Sequence, residues 1–214
     1  MRYALHFVVV AVIVIALSFA CNAASMAAWR AFPTTFATLG VSSLPFYAAW
    51  AAICAGFTFA YPDAAATPWR VPRWSRRDWV VFALVVVASV LMYLPPIVRA
   101  IDGQAHVPDP PLYIAAGGIV GPIVEEWLFR GIVWNVLRRA APGRAGLVTA
   151  IVGGALLFGF WHLPFDGVTW FGVQLAFMHA GFGLLMGIAR WRLDSVLPGT
   201  ILHVLGNCLF VITH

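Results

Sequence analysis

The chain has 214 residues, of which 62% are hydrophobic and only 10% charged, and its net charge is +5. A soluble domain would carry roughly 25% charged residues and could not bury so much apolar surface at this size, so lipid is the expected solvent for most of the chain. The basic residues are all arginine, placed in short clusters between apolar runs. That is the pattern of membrane topology, and no nucleic-acid partner is expected.

Apolar runs long enough to cross a bilayer, about 20 residues each, fall at approximately 5–24, 41–61, 79–98, 112–137, 147–163, 170–189 and 195–213. They predict an all-α fold, a polytopic transmembrane helix bundle of about seven spans in a single membrane domain covering 1–214. The first run follows Arg2 and could open a signal peptide. Ser18-Phe19-Ala20-Cys21 lacks the leucine expected before a lipoprotein cysteine, so the run is read as a retained span. Cys21, Cys54 and Cys208 are far apart with no CxxC pair, and are read as buried, inert thiols.

The connections set the orientation. Residues 62–78 hold three prolines with Arg70, Arg73, Arg76 and Arg77. Residues 99–111 hold Asp102, Asp109 and Pro110-Pro111; residues 138–146 hold Arg138, Arg139, Pro142 and Arg144; the last short turn holds Arg190, Arg192 and Asp194. Seven alternating spans put ten arginines on one side and only Arg30 and Arg99 on the other. The positive-inside rule makes the richer side cytoplasmic. The chain is thus expected to be integral to the cell (inner) membrane, with its N-terminus in the cytoplasm and its C-terminus outside.

Three spans carry groups that lipid rejects. The fourth reads Gly121-Pro-Ile-Val-Glu125-Glu126-Trp-Leu-Phe-Arg130-Gly131. A charge at a helix centre costs on the order of 2.5–3.5 kcal/mol on insertion scales, so these must be paired, hydrated or functional. Glu126 and Arg130 are spaced i,i+4 and can pair. Glu125 points about 100° away, so one glutamate can be neutralised by the arginine while the other faces the bundle interior. The fifth span ends in Phe158-Gly-Phe-Trp-His162, and the last holds His203-Val-Leu-Gly-Asn207, which puts imidazole and carboxamide on one face.

Individually these fit a structural ion pair, a packing histidine and interhelical hydrogen bonds. Together, a carboxylate, two imidazoles and a carboxamide suit hydrolysis by an activated water. Glu125 can serve as general base with His162 assisting, and His203 and Asn207 can donate to an oxyanion. A zinc site on Glu125, His162 and His203 is the alternative chemistry. A transporter or proton relay would use the same residue types, but the inverted repeats common in transporters are not visible. A silent immunity or binding protein is the third reading. The sequence has no H-E-x-x-H of a zinc-type protease and no Gly-x-Gly-Asp of an aspartyl type.

In order and spacing, Glu125-Glu126-x-x-x-Arg130, Phe158-x-x-x-His162 and His203-x-x-x-Asn207 resemble the three motifs of the CPBP family, the CAAX proteases and bacteriocin-processing enzymes also called Abi. Asp194-Ser195-Val-Leu-Pro198 is similar to the family's stretch before its last motif. The resemblance implies a catalytic core at 112–213, with residues 1–111 as N-terminal scaffold helices. It implies an intramembrane endopeptidase of glutamic type that cleaves a membrane-associated protein or peptide at the lipid bilayer. Glu125 would be the base, His162 would stand beside it, and His203 with Asn207 would stabilise the oxyanion. Glu126, Arg130 and Phe158 would support them. No cofactor is required on this reading, with Zn2+ as the alternative. Family substrates include prenylated C-termini, bacteriocin leaders and C-terminal sorting tails, and the absence of lysine points to a bacterial source. His179 stands where relatives carry an apolar residue, and is expected to bond a neighbouring helix. Counting about 1.5 Å per residue from the expected outer edge puts Glu125 roughly 20 Å deep, His203 roughly 18 Å and His162 roughly 8 Å, so His162 is expected to lie too shallow.

Overall fold

Backbone groups in lipid have no water to bond, so each apolar run must satisfy its own N–H and C=O groups by coiling into a helix. A computed structural model of the chain describes residues 2–32, 44–62, 69, 71, 74–101, 114–163 and 168–213, and these are helical with no strand among them. Helix α1 is Arg2–Ala31, α2 is Leu44–Ala60 and α3 is Arg76–Ile101. Helix α4 covers residues 114–140 as four consecutive segments, Ile114–Val120, Gly121–Glu126, Trp127–Val133 and Trp134–Ala140. Helix α5 is Gly143–Trp161, α6 is Trp170–Leu193 and α7 is Leu197–Thr213. Arg70, Arg73, Asp102, Asp109, Pro110, Pro111 and the start of the fourth expected span lie outside the described residues.

The seven helices match the seven apolar runs. By length and composition, Ala11–Ala28, Gly143–Trp161 and Trp170–Leu193 are able to cross a membrane; Pro45–Ala60 and Leu197–Leu209 are shorter apolar helices. The outward surface carries large apolar side chains, among them Ile13, Leu84, Leu91, Phe177 and Leu205. So much exposed apolar surface suits a lipid boundary and not water.

Turns are set by local chemistry. Between α4 and α5, Gly143 takes a positive φ of 52°, open to glycine at no steric cost. Asp194 closes α6 in the left-handed region, and the buried Ser195 hydroxyl accepts from the Leu197 N–H to start α7. Pro198 sits in the first turn of α7, where its missing N–H is not needed. At the start of α3, the Ser75 hydroxyl and N–H both bond Asp78. Those bonds, with the charge of Arg192 at the end of α6, hold the Asp78 carboxyl below its usual range. The start of α3 and the end of α6 therefore share one end of the bundle, as alternating spans require.

Lipid removes the hydrophobic drive for helices to associate, so close packing must supply it. An aromatic chain links α2, α4 and α5: Trp50 meets Trp161 at 4.5 Å, Phe46 meets it at 5.2 Å and Phe129 at 5.4 Å, and Phe129 stands edge-on to Phe158 at 5.2 Å. The α1 helix joins through Ser18, whose hydroxyl donates to the Trp161 carbonyl at 3.3 Å. Helices α5 and α6 pack through small residues. A Cβ on Gly159 would collide with the Ala176 carbonyl oxygen and stand 2.8 Å from the Ala180 Cβ; one on Gly183 would stand 3.1 Å from the Phe158 ring.

Because backbone cannot yield there, Gly159→Ala is expected to destabilise the bundle by about 1–3 kcal/mol. A lower unfolding midpoint in detergent would report it. At Gly154, where nothing lies within 4 Å of an added Cβ, alanine is expected to leave the midpoint unchanged or raise it.

Candidate active site

The site begins with irregular coiling of α4. Its segments at Ile114–Val120 and Trp127–Val133 are π-helical, with ordinary α-helix at Gly121–Glu126 between them. A π turn holds more residues than an α turn, and such widening is frequent at functional sites. Here the Arg130 carbonyl accepts from Nε of Arg190 at 3.2 Å. Arg190 is buried within α6 and also bonds Asp194 at 3.1 Å. The sequence puts Arg190 in the last short turn; the structure puts it within α6, turned inward onto that carbonyl.

The two carboxylates are both deeply buried, Glu125 at 2% exposure and Glu126 at 0%. The expected ion pair is present: Arg130 Nη1 stands 3.0 Å from Glu126 Oε1. Arg130 also donates from Nη2 to the Gly183 carbonyl at 3.1 Å, and its guanidinium lies 4.4 Å over the Phe158 ring. Glu125, the glutamate without the arginine, shares an imidazole with Glu126. His203 stands between the two, with Nδ1 3.0 Å from Glu126 Oε1 and Nε2 3.6 Å from Glu125 Oε2. Side chains 100° apart on a helix flank one groove, and a planar imidazole with nitrogens on both edges reaches both.

Glu125 has one more partner, which the sequence reading missed. The Tyr47 hydroxyl of α2 donates to Glu125 Oε1 at 3.2 Å. Its signal was a tyrosine inside an apolar run, since a buried phenol needs a hydrogen-bond partner. Glu125 Oε2 and Glu126 Oε2 are buried polar atoms without a hydrogen bond among the described residues.

Asn207 does lie on the His203 side of α7. Its Nδ2 donates to the Gly117 carbonyl at 3.2 Å. Gly117 and Gly118 are in the first π-helical segment of α4. Their small size admits α7: a Cβ on Gly118 would stand 2.9 Å from Cys208 Sγ. The thiols are free; Cys21 and Cys54 are buried and Cys208 is half-buried.

His162 is the C-cap of α5, with its N–H on the Gly159 carbonyl and Nδ1 2.8 Å from the Phe158 carbonyl. A donating Nδ1 leaves Nε2 as the acceptor of a neutral ring. The His162 ring meets the Phe158 ring at 4.9 Å, and the other side of the cluster begins where Phe158 meets His203 at 5.7 Å. Phe158 thus touches both His162 and the imidazole that bridges the carboxylates. His179 of α6 meets the neighbouring helix α5, its ring stacked on that of His162 at 3.9 Å and 11°.

A zinc site would need Glu125, His162 and His203 to converge. Among the described residues, no group of three or more His, Cys, Asp or Glu side chains is arranged so that it could hold a metal ion. The residues do not fit zinc in this arrangement, and no chemical step is derived through it. A crevice between α3 and α7, lined by Ser89, Val90, Leu202 and Leu205 among others, includes none of the site residues.

Residues 107–209 match the family described as type II CAAX prenyl endopeptidase Rce1-like. The matched segment contains Glu125, Glu126, Arg130, Phe158, His162, His179, His203 and Asn207, and ends before α2 is reached on the N-terminal side. No curated protein and no solved structure matches the chain.

Breaking one partner of a buried ion pair leaves an uncompensated charge, at about 3–5 kcal/mol. Arg130→Met is therefore expected to lower the unfolding midpoint sharply and reduce the yield of monodisperse protein in detergent. The double variant Glu126→Gln with Arg130→Met is expected to recover part of that loss, since the stranded carboxylate is gone.

Proposed function

The segment 107–209 belongs to the CAAX-protease (CPBP) family, and from that premise we propose that the chain hydrolyses a peptide bond of a membrane-associated substrate with a water activated by Glu125. The family is one of intramembrane CAAX-type endopeptidases, and the function of the chain falls in that class. The observation that carries the finer reading is the His203 bridge between two buried carboxylates, only one of which also holds the arginine.

The roles follow from that asymmetry. Oε1 of Glu126 faces both Arg130 and the Nδ1 edge of His203, so that oxygen is committed and Glu126 serves to orient the imidazole. Glu125 has no arginine partner, and its Oε2, without a hydrogen bond among the described residues, is the oxygen that faces Nε2 of His203 at 3.6 Å. That oxygen takes a proton from the water as the water oxygen attacks the scissile carbonyl carbon. His162, with Nε2 as acceptor, orients the same water. The carbonyl oxygen gains negative charge and receives hydrogen bonds from protonated Nε2 of His203 and from Asn207 Nδ2. Asn207 has two N–H donors, and one on Gly117 leaves the other for the substrate. Collapse of the tetrahedral intermediate breaks the C–N bond, and Glu125 returns its proton to the leaving nitrogen. The products are a carboxylic acid and an amine, and the Glu125 carboxylate is restored.

The reading is of glutamic type, without a required metal. Purified protein is expected to cleave an internally quenched peptide bearing a prenylated C-terminal Cys-aliphatic-aliphatic-X sequence, or its unprenylated membrane-anchored counterpart. Glu125→Gln is expected to lower the rate by at least about 10³-fold, and His203→Ala or Asn207→Ala by about 10²–10³-fold. Active protein is expected to contain no stoichiometric metal; zinc lost together with activity would overturn the assignment. Cleavage of neither peptide would overturn the proteolytic reading.

We further infer that the arginine-rich ends, including Arg76, Arg138, Arg139, Arg144 and Arg192, face the cytoplasm. An alkaline phosphatase fused after His214 should then be active in a bacterial host. A fusion after Arg139 should be inactive, and the reverse pattern would invert the topology.

A further inference from the structure

The family match starts at residue 107, yet a residue of α2 reaches the carboxylate to which the proposed chemistry assigns the proton. The Tyr47 hydroxyl donates to Glu125 Oε1 at 3.2 Å, while Oε2 of the same carboxylate stands 3.6 Å from His203 Nε2 and has no hydrogen bond among the described residues. The two oxygens are therefore unlike: one is tied to a neutral donor, and the other is presented to the imidazole.

Phe46 and Gly121 both help to hold Tyr47 in place. Its ring stands edge-on to the buried Phe46 at 5.5 Å. Its hydroxyl end lies on the bare Cα of Gly121, where an added Cβ would fall 2.6 Å from Cζ and 2.8 Å from Oη. Gly121 is four residues before Glu125, so both lie on one face of α4, and the phenol runs along that face from the glycine to the carboxylate. A larger residue at 121 would lift the hydroxyl off Glu125.

We infer that Tyr47 is a positioning residue for hydrolysis, fixing Oε1 of Glu125 so that Oε2 is the oxygen that meets the water. The inference rests on the proposed role of Glu125 as base. A carboxylate with both oxygens unbound can rotate about its last bond, and only a fraction of its orientations would aim a lone pair at the reacting water. A hydroxyl on one oxygen selects that fraction in advance and leaves substrate binding untouched. Because an O–H donor also favours the ionised form of its acceptor, its removal should make the working form harder to reach in acid.

The test uses Tyr47→Phe in the full chain, with the prenylated quenched peptide as probe. The expected result is a native unfolding midpoint to within a few degrees, kcat lower by on the order of tenfold, unchanged KM, and an acid limb of the pH–rate profile moved to higher pH. Gly121→Ala is a second route to the same loss, and the double variant is expected to be no slower than Tyr47→Phe, because both changes remove one hydrogen bond. A Tyr47→Phe protein with native kcat and a native acid limb, or one changed only in KM, would reduce Tyr47 to a packing residue and sink the inference. Glu125→Gln is run beside it: a variant that keeps the native rate overturns the role of Glu125 itself, whereas an inactive Glu125→Gln with a native Tyr47→Phe overturns only the positioning by Tyr47.

Discussion

Two carboxylates buried side by side in a membrane protein impose the constraint on which the rest of the arrangement depends. Neither can stay charged there without compensation. Glu126 Oε1 takes it from two sides, from Arg130 on its own helix and from His203 on α7, both at 3.0 Å. Arg130 is in turn committed to the Gly183 carbonyl of α6. One oxygen atom thereby fixes the relative register of α4, α6 and α7. In water such a cluster would be weak evidence of stability. In lipid, where apolar contact favours no particular helix neighbour, directional polar contacts and small-residue packing must choose the neighbours.

Phe158 converts that cluster into an enclosed site. Its ring takes the Arg130 guanidinium on its face at 4.4 Å, meets His203 at 5.7 Å and His162 at 4.9 Å, and stacks through Phe129 toward the tryptophans of α2 and α5. An aromatic side chain suits this position because its face attracts a cation while its bulk excludes water. Exclusion lowers the local dielectric and strengthens every charge–charge contact behind it. The glycine at 183 is needed for the same reason, since it lets α6 approach until its carbonyl meets Arg130 and its Cα meets the ring.

Seven helices are legible in the apolar runs because a backbone in lipid has few alternatives to coiling. The Glu126–Arg130 pair is legible too, as i,i+4 spacing survives the local change of helix type. What periodicity misses is whatever departs from 3.6 residues per turn. The π-helical segments of α4 bring Gly117 and Gly118 into the helix and open the Arg130 carbonyl to Arg190, and no propensity in those residues announces it. Arg190 was assigned to a turn because it neighbours Arg192 and Asp194 in sequence, although its partner is 60 residues away. Tyr47 escaped notice because an isolated tyrosine in an apolar run is common, and only its tertiary contact gives it meaning. His179 similarly acquires its place from a ring on another helix.

The two adjacent glutamates show why a motif alone does not assign roles. They share a helix, a depth and a neighbouring imidazole, and differ only in what else touches them. Glu126 faces two cationic or potentially cationic donors, while Glu125 faces a neutral phenol and the more distant edge of His203. Adjacent carboxylates take different parts when their surroundings differ, and here the difference arises from both halves of the chain. The orienting partners of Glu126 come from α4 and α7, inside the family segment, whereas the donor on Glu125 comes from α2, outside it. In the proposed chemistry the N-terminal helices therefore do more than support the core: they supply the contact that makes the first glutamate unlike the second.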